Sequence, residues 1–403
     1  MQKIKILIIG TGDLHNYGCE AIVHGTHHIL KNVLNDYELY VASDNFEYDR
    51  RMLPPDVHLV SYKERFTFYR LWKGLLRRLF HIGHGSPVLM NKNIGKEFDV
   101  VLSCGGDNYC EMPDGSIFHL LTDLMAIGER AKEKHRKYVL WGASVGPFNP
   151  NNEKRVVSNL RKCDLITVRE QLSYQYLENK LHQDVLKEVA DPAFCMQPDY
   201  HVDYQKNDGC KNIGINLSLL SVYHCVPQAE AENFISSLFN ALDDILYRHE
   251  DYRFVLIPHV VVEGLDAQND ITFLKRYMAA TRHKARVTLI PSGIGARKTK
   301  GYVSKMNLLI AARMHCCVAG ISTSTPTLFV TYSNKGKGMA GYAYGHHDYE
   351  IETKDLLSNK FEALINTMLS AESSIRKHLG DQQERFKTDA MKAGKYLSAI
   401  LKK

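Results

Sequence analysis

At 403 residues the chain exceeds one ordinary hydrophobic core, so two domains of roughly 150 to 200 residues are expected. With 44% hydrophobic and 24% charged residues it has the composition of a folded globular protein, which excludes a largely disordered chain. A net charge of +6 favours anionic ligands or surfaces without demanding nucleic acid, and no nucleic-acid-binding motif occurs.

The opening MQKIKILIIG is too short an apolar run for a signal peptide or a membrane span, and no later stretch offers about 18 uninterrupted apolar residues. Nine cysteines without CxxC pairs point to free thiols in a reducing cytoplasm rather than to a disulfide framework. In chain order, KIKILIIG, YELYVAS, VHLVSY, DVVLSCGG, KYVLWGAS, LITV and VLKEVA read as strands. After the polar break QPDYHVDYQKNDGCK, the runs NIGINLSL, RFVLIPH, RVTLI, LLIAA and TLFVTY repeat the pattern. Segments 228–250, 355–370 and 371–403 have helical character. Continuous apolar strands alternating with helices predict parallel sheets covered on both faces. The expected fold class is α/β: two doubly wound, Rossmann-like domains, 1–197 and 211–370, joined by a linker at 198–210. They would face a cleft with ligands at the carboxyl ends of strands.

RFTFYRLWKGLLRRLF, residues 65–80, breaks this pattern with five basic and no acidic residues. On a helix, Phe68, Trp72, Leu75, Leu76 and Leu79 share a face, the composition of an interfacial membrane helix. A helix packed on its domain, with a solvated basic face, is the competing reading.

Several strand ends carry chemistry. GTGDLHNYG places Gly10 and Gly12 after the first strand, with Asp44 after the second, but His15 stands where a dinucleotide loop needs its third glycine. The loop suits either an anion or sugar near backbone N–H groups or a plain tight turn. Glu20, His24 and His28 can share one helix face, a spacing that invites a metal, though no HExxH is present and packed or surface histidines are commoner. SCGGDN ends a strand with Asp107, either a proton acceptor for a sugar hydroxyl or a helix cap. GASVG matches a nucleophile elbow, with Asp191 and His315 downstream. Pro147 and Pro150 argue against the required helix, so Ser144 reads better as a cleft-lining group. In ITVRE, Arg169 ends a strand, where anion binding competes with a surface ion pair.

LLIAARMHCCVAG drives a buried strand abruptly into Arg313, Met314, His315, Cys316 and Cys317. Adjacent cysteines clamp a metal poorly and read as small buried thiols. Arg313 offers a permanent fork of donors suited to carboxylate or phosphate; its alternative is an interdomain ion pair. TYSNKGKG, read as a loop, adds Tyr332, Ser333, Lys335 and Lys337 at the next strand's end.

DLHNYGCEAI, SCGGDN, WGASVGPF, ITVRE with Ser173, VADPAF, GINLS, AARMH and TPTLFVTYSNKGKG occur in the order seen in polysaccharide pyruvyl transferases. The chain resembles that family over roughly residues 4–345, with a departure at Cys19, where many members carry an aspartate. The resemblance implies a GT-B-like fold, in which helix 371–403 crosses back to the first domain, and transfer of pyruvate from phosphoenolpyruvate to a sugar as a ketal. It implies His315 as the acid and Arg169 and Arg313 as donor-binding residues, with Met314, Ser333 and Lys335 as further donor contacts. Asn16, Gly18, Glu20 and Ser144 complete the expected substrate contacts, and Asp107 is the candidate for activating the acceptor. No metal and no cofactor is expected. The partners implied are phosphoenolpyruvate and a capsule, exopolysaccharide or cell-wall precursor, with a polyprenyl-lipid-linked sugar giving 65–80 an anionic membrane to touch at its cytoplasmic face. A nucleotide-sugar-dependent glycosyltransferase of the same fold is the alternative.

Overall fold

Strands β1 (Ile4–Ile9), β2 (Tyr37–Ser43), β3 (Val57–Ser61), β4 (Val100–Ser103), β5 (Lys137–Ala143), β6 (Leu165–Val168) and β7 (Leu186–Glu188) form one sheet in a computed structural model of the chain. The structure describes residues 3–63, 90–106, 108–112, 115–117, 119–204, 209–262, 264–332 and 334–402, apart from the side chains of 334 and 335. The basic segment 65–80, Asp107 and Ser333 therefore lie outside the described residues.

The first sheet runs β3-β2-β1-β4-β5-β6-β7, with every pairing parallel. A second sheet, from β8 (Lys211–Asn216), β9 (Tyr252–Leu256), β10 (Val287–Leu289), β11 (Leu308–Ala311), β12 (Thr327–Thr331) and β13 (Glu350–Glu352), runs β10-β9-β8-β11-β12-β13 and is also wholly parallel. In both, the chain winds outward on one side and then returns to the other, so β1/β4 and β8/β11 are topological switch points. Two Rossmann-like sheets are thus present. The cause is legible in composition: β4 and β11 are apolar runs, buried at every position because helices cover both faces.

Contacts divide the chain into two units: Met1–Gly12, Leu30–Val189 and Ala393–Lys403 in the first, Asp13–Ile29 and Ala190–Lys392 in the second. Neither unit is continuous in sequence. The start of the helix Tyr17–Val33 belongs with the second sheet, although it directly follows the first sheet's opening strand.

Two stretches differ from expectation. TYSNKGKG, read as a loop from its glycines and lysines, turns into the helix Asn334–Tyr344 one residue after Ser333. The three-residue β13 was too short to stand out by periodicity. After Ser144, the next helix starts only at Pro150, capped by Asn149 accepting from Asn151 and Asn152 N–H, so GASVG is not a nucleophile elbow. No described helix is long and apolar enough to cross a membrane.

Candidate functional site

The second unit gathers charge where β8, β9 and β11 end. Arg313 follows the buried β11 and precedes the helix Met314–Ile321. Its backbone N–H donates to Asn216 Oδ1 at 3.0 Å. Its Nε and Nη2 donate to Asp270 Oδ1 at 3.0 and 2.8 Å, and Nη2 also reaches the Gln268 carbonyl at 2.6 Å. Asp270 is completely buried. Its Oδ2 accepts from Asn216 Nδ2 at 3.1 Å and from the N–H groups of His259 and Val260 at 2.9 and 3.0 Å. One carboxylate thus joins three strand ends, and its charge compensates the guanidinium. Arg313 is thus paired, and its partner lies within the same unit, which corrects the reading of an interdomain ion pair.

His315 sits in the first turn of Met314–Ile321, its Nε2 3.3 Å from Asp191 Oδ2. Asp191 is fully buried, and its Oδ1 accepts the Ala193 N–H at 2.8 Å as the cap of the turn Pro192–Cys195. Gly18 lies against the other edge of the ring: a Cβ there would fall 2.4 Å from His315 Nδ1. Gly18 N–H donates to Asn16 Oδ1 at 3.0 Å. Asn16 in turn forms an antiparallel bridge with Val260, flanked by Val261 N–H to His15 O and Tyr17 N–H to His259 O. Asn16, Gly18, Arg313, Met314 and His315 are therefore brought together.

His259 completes this cluster. Its ring lies edge-on to Tyr17, with centroids 5.8 Å apart. Burial first, then the positive fields of His315 and Arg313, push its imidazole down to about 3, so it is neutral at physiological pH. The helix Met314–Ile321 starts without a side-chain cap, leaving its first turn of N–H groups as the end favoured by an anion.

Glu20 is interior. It is 2% exposed and 3.5 Å from His24 Nε2, accepts the Ala296 N–H at the start of the helix Gly295–Val303, and its carboxyl is raised by burial. His28 on the same helix is exposed, so Glu20, His24 and His28 do not converge. Among the described residues no cluster of three or more His, Cys, Asp or Glu could hold a metal. Cys316 and Cys317 are buried, and burial raises both thiols. Lys337 pairs with Glu352 at 2.8 Å.

Arg169 and Ser144 belong to the first unit. Arg169, following β6 and 6% exposed, donates from Nε to Ser144 Oγ at 2.9 Å. Gly106 packs on the guanidinium so closely that a Cβ would lie 2.8 Å from Nη2. Three neighbouring strand ends, those of β4, β5 and β6, meet on this one arginine. Sequence reasoning missed Asp270 and His259, and weighed Asp191 only as a hydrolase partner. The D-P pair of VADPAF and the N-D start of NDITF read as ordinary helix-start signals. Asp191 does cap its turn and also faces His315, whereas Asn269 caps the helix Asp270–Ala280 and leaves the Asp270 carboxylate to the strand ends.

Among solved structures of similar fold, a glycosyltransferase from Rickettsia africae is 12% identical, with all of both chains covered and a TM-score of 0.55. A UDP-GlcNAc 2-epimerase from Neisseria meningitidis, bound to UDP-GlcNAc, is 12% identical over 94% of each chain, with a TM-score of 0.55. The UDP-GlcNAc 2-epimerase of Methanocaldococcus jannaschii is 9% identical over 91% of this chain and 93% of that one, with a TM-score of 0.54. At such identities these likenesses speak for a GT-B-type fold alone. No curated protein matches the chain in sequence. The family model for polysaccharide pyruvyl transferases matches residues 16–334, from the asparagine beside Gly18 to the helix after β12, and the chain belongs to that transferase family.

Proposed function

We propose that the protein transfers pyruvate from phosphoenolpyruvate to a sugar of a polysaccharide or its lipid-linked precursor, forming a ketal and releasing phosphate. Family membership supports the reaction class, and the observation that carries the residue assignment is His315, a partly accessible imidazole with a buried carboxylate at its back. His315 gives a proton to the methylene carbon of the enol phosphate. The double-bond pair forms the new C–H bond, and positive charge develops on the adjacent carbon. A sugar hydroxyl attacks that carbon and loses its proton. Phosphate then leaves with the C–O bonding pair, and a second hydroxyl closes the cyclic ketal as its proton departs.

Phosphoenolpyruvate brings a carboxylate and a phosphate. The uncapped first turn at Met314 suits one of them, beside the Arg313–Asp270 pair. Arg169, Lys335 and Ser333 are assigned to the same donor, and Asn16, Gly18 and Ser144 to substrate contacts. Asp107 activates the acceptor hydroxyl. No metal or nucleotide takes part. The enzyme works in the cytoplasm, with 65–80 touching anionic lipid where a polyprenyl-linked acceptor is presented. Co-sedimentation with anionic vesicles that survives loss of Trp72, Arg77 and Arg78 would remove 65–80 as the membrane contact.

The test of the donor is thermal stabilisation by phosphoenolpyruvate against a panel of nucleotide sugars. At about 100 times its dissociation constant, the true donor adds roughly 2.7 kcal/mol of stability. His315→Gln should keep that stabilisation and lose phosphate release. Stabilisation by a nucleotide sugar instead would hand the chain to the glycosyltransferase reading, which the fold of its structural neighbours accommodates.

A further inference from the structure

We infer that Asp191 and Gly18 are the positioning pair that sets the ring of His315 for proton transfer, Asp191 by holding Nε2 and Gly18 by the absence of a side chain. The inference rests on the pyruvyl-transfer reading of His315, and it adds how the ring is aimed.

Asp191 is placed by its own backbone surroundings rather than by the histidine. Its Oδ1 is engaged by the Ala193 N–H at 2.8 Å, which leaves Oδ2 directed at Nε2, 3.3 Å away. A carboxylate so fixed selects the tautomer with hydrogen on Nε2 when the ring is neutral. After His315 has given up its proton, it is therefore left in one defined state. The 3.3 Å separation is at the long end for a charge-assisted contact.

Gly18 works sterically. It is the second residue of the helix Tyr17–Val33 and has no need of a left-handed backbone, so alanine would ordinarily favour the helix. What forbids a side chain is the ring itself, with Nδ1 at 2.4 Å and Cγ at 2.8 Å from a built Cβ. A ring at the end of a side chain can swing aside. Gly18→Ala should therefore cost little stability and should turn His315 away from Asp191. Among the described residues, the charged and titratable groups around the ring include Asp191, His259 and Arg313, the last paired with Asp270.

The experiment measures steady-state phosphate release from phosphoenolpyruvate with an acceptor, together with thermal stability, for wild type, Asp191→Asn and Gly18→Ala. Asparagine keeps the cap to Ala193 and loses the charge. Asp191→Asn should lower kcat on the order of 10²- to 10⁴-fold with KM for phosphoenolpyruvate nearly unchanged. The alkaline limb of its pH–rate profile should move to lower pH. Gly18→Ala should lower kcat on the order of tenfold or more at undiminished melting temperature. Asp191→Asn within about threefold of wild-type kcat, or a loss lying wholly in KM, would overturn the inference. Wild-type enzyme that never releases phosphate would instead count against the pyruvyl-transfer reading. Ring ¹⁵N spectra of histidine-labelled protein then still report on the pair: hydrogen on Nε2 in wild type and on Nδ1 in Asp191→Asn supports it, and the same tautomer in both sinks it.

Discussion

Lys300 shows how a single side chain can make stability depend on pH without touching the site. It is 2% exposed within the helix Gly295–Val303 and donates from Nζ to the Met196 carbonyl at 2.7 Å. Burial pushes its ammonium down to about 7. Between about pH 7 and 10.5 the unfolded chain binds a proton that the folded chain does not, so stability rises with pH across that window. Below about 7 both states are protonated, and the folded state bears the full penalty of the buried charge. Lys300→Met removes that slope, and urea titrations should find the variant's advantage on the order of a few kcal/mol larger at pH 6.5 than at pH 10. At this scale the sequence was half legible. Arg313 and His315 announce themselves, because an apolar strand has no other reason to end in a cation and an imidazole. Their carboxylates do not, because Asp270 is 43 residues from Arg313 and only the sheet brings them together.

Among elements, the helix Tyr17–Val33 is specified by contacts that its own sequence does not reveal. A Cβ on Gly25 would lie 1.8 Å from the Pro192 carbonyl, a backbone atom with no freedom to move aside. Gly25→Ala should therefore destabilise by about 1–3 kcal/mol despite alanine's better helix propensity, as read from denaturant midpoints. Gly18, seven residues earlier on the same helix, is the contrast, since its neighbour is a side chain able to swing. The long strands and the helices Gln228–Arg248 and Asn359–Ser370 were readable because burial on one face imposes a period. Asn334–Tyr344 was not, since Gly336, Gly338 and Gly341 mimic a loop and only packing on β12 makes them helical.

For the whole molecule, the nine cysteines are all free thiols, six of them buried, with only Cys19, Cys210 and Cys225 partly accessible. Titration of native protein with a thiol reagent should therefore stop at no more than three equivalents, rising to nine on unfolding, and reductant should leave the melting temperature unchanged. The doubly wound class followed from alternating strands and helices over the full length. The assignment of Asp13–Ile29 to the second unit did not, because sequence adjacency favours the sheet it directly follows. That discontinuity limits how such an enzyme can be recombined. A gene fragment starting at the polar break near 198 would carry His315, Arg313 and Asp270 but neither Gly18 nor Asp191, which lie upstream. Exchanging halves between relatives at that tempting junction would set one parent's His315 against another parent's Gly18 and Asp191. Chimaeras should cross over instead before position 13, or carry 13–29 and the stretch from 190 as a set.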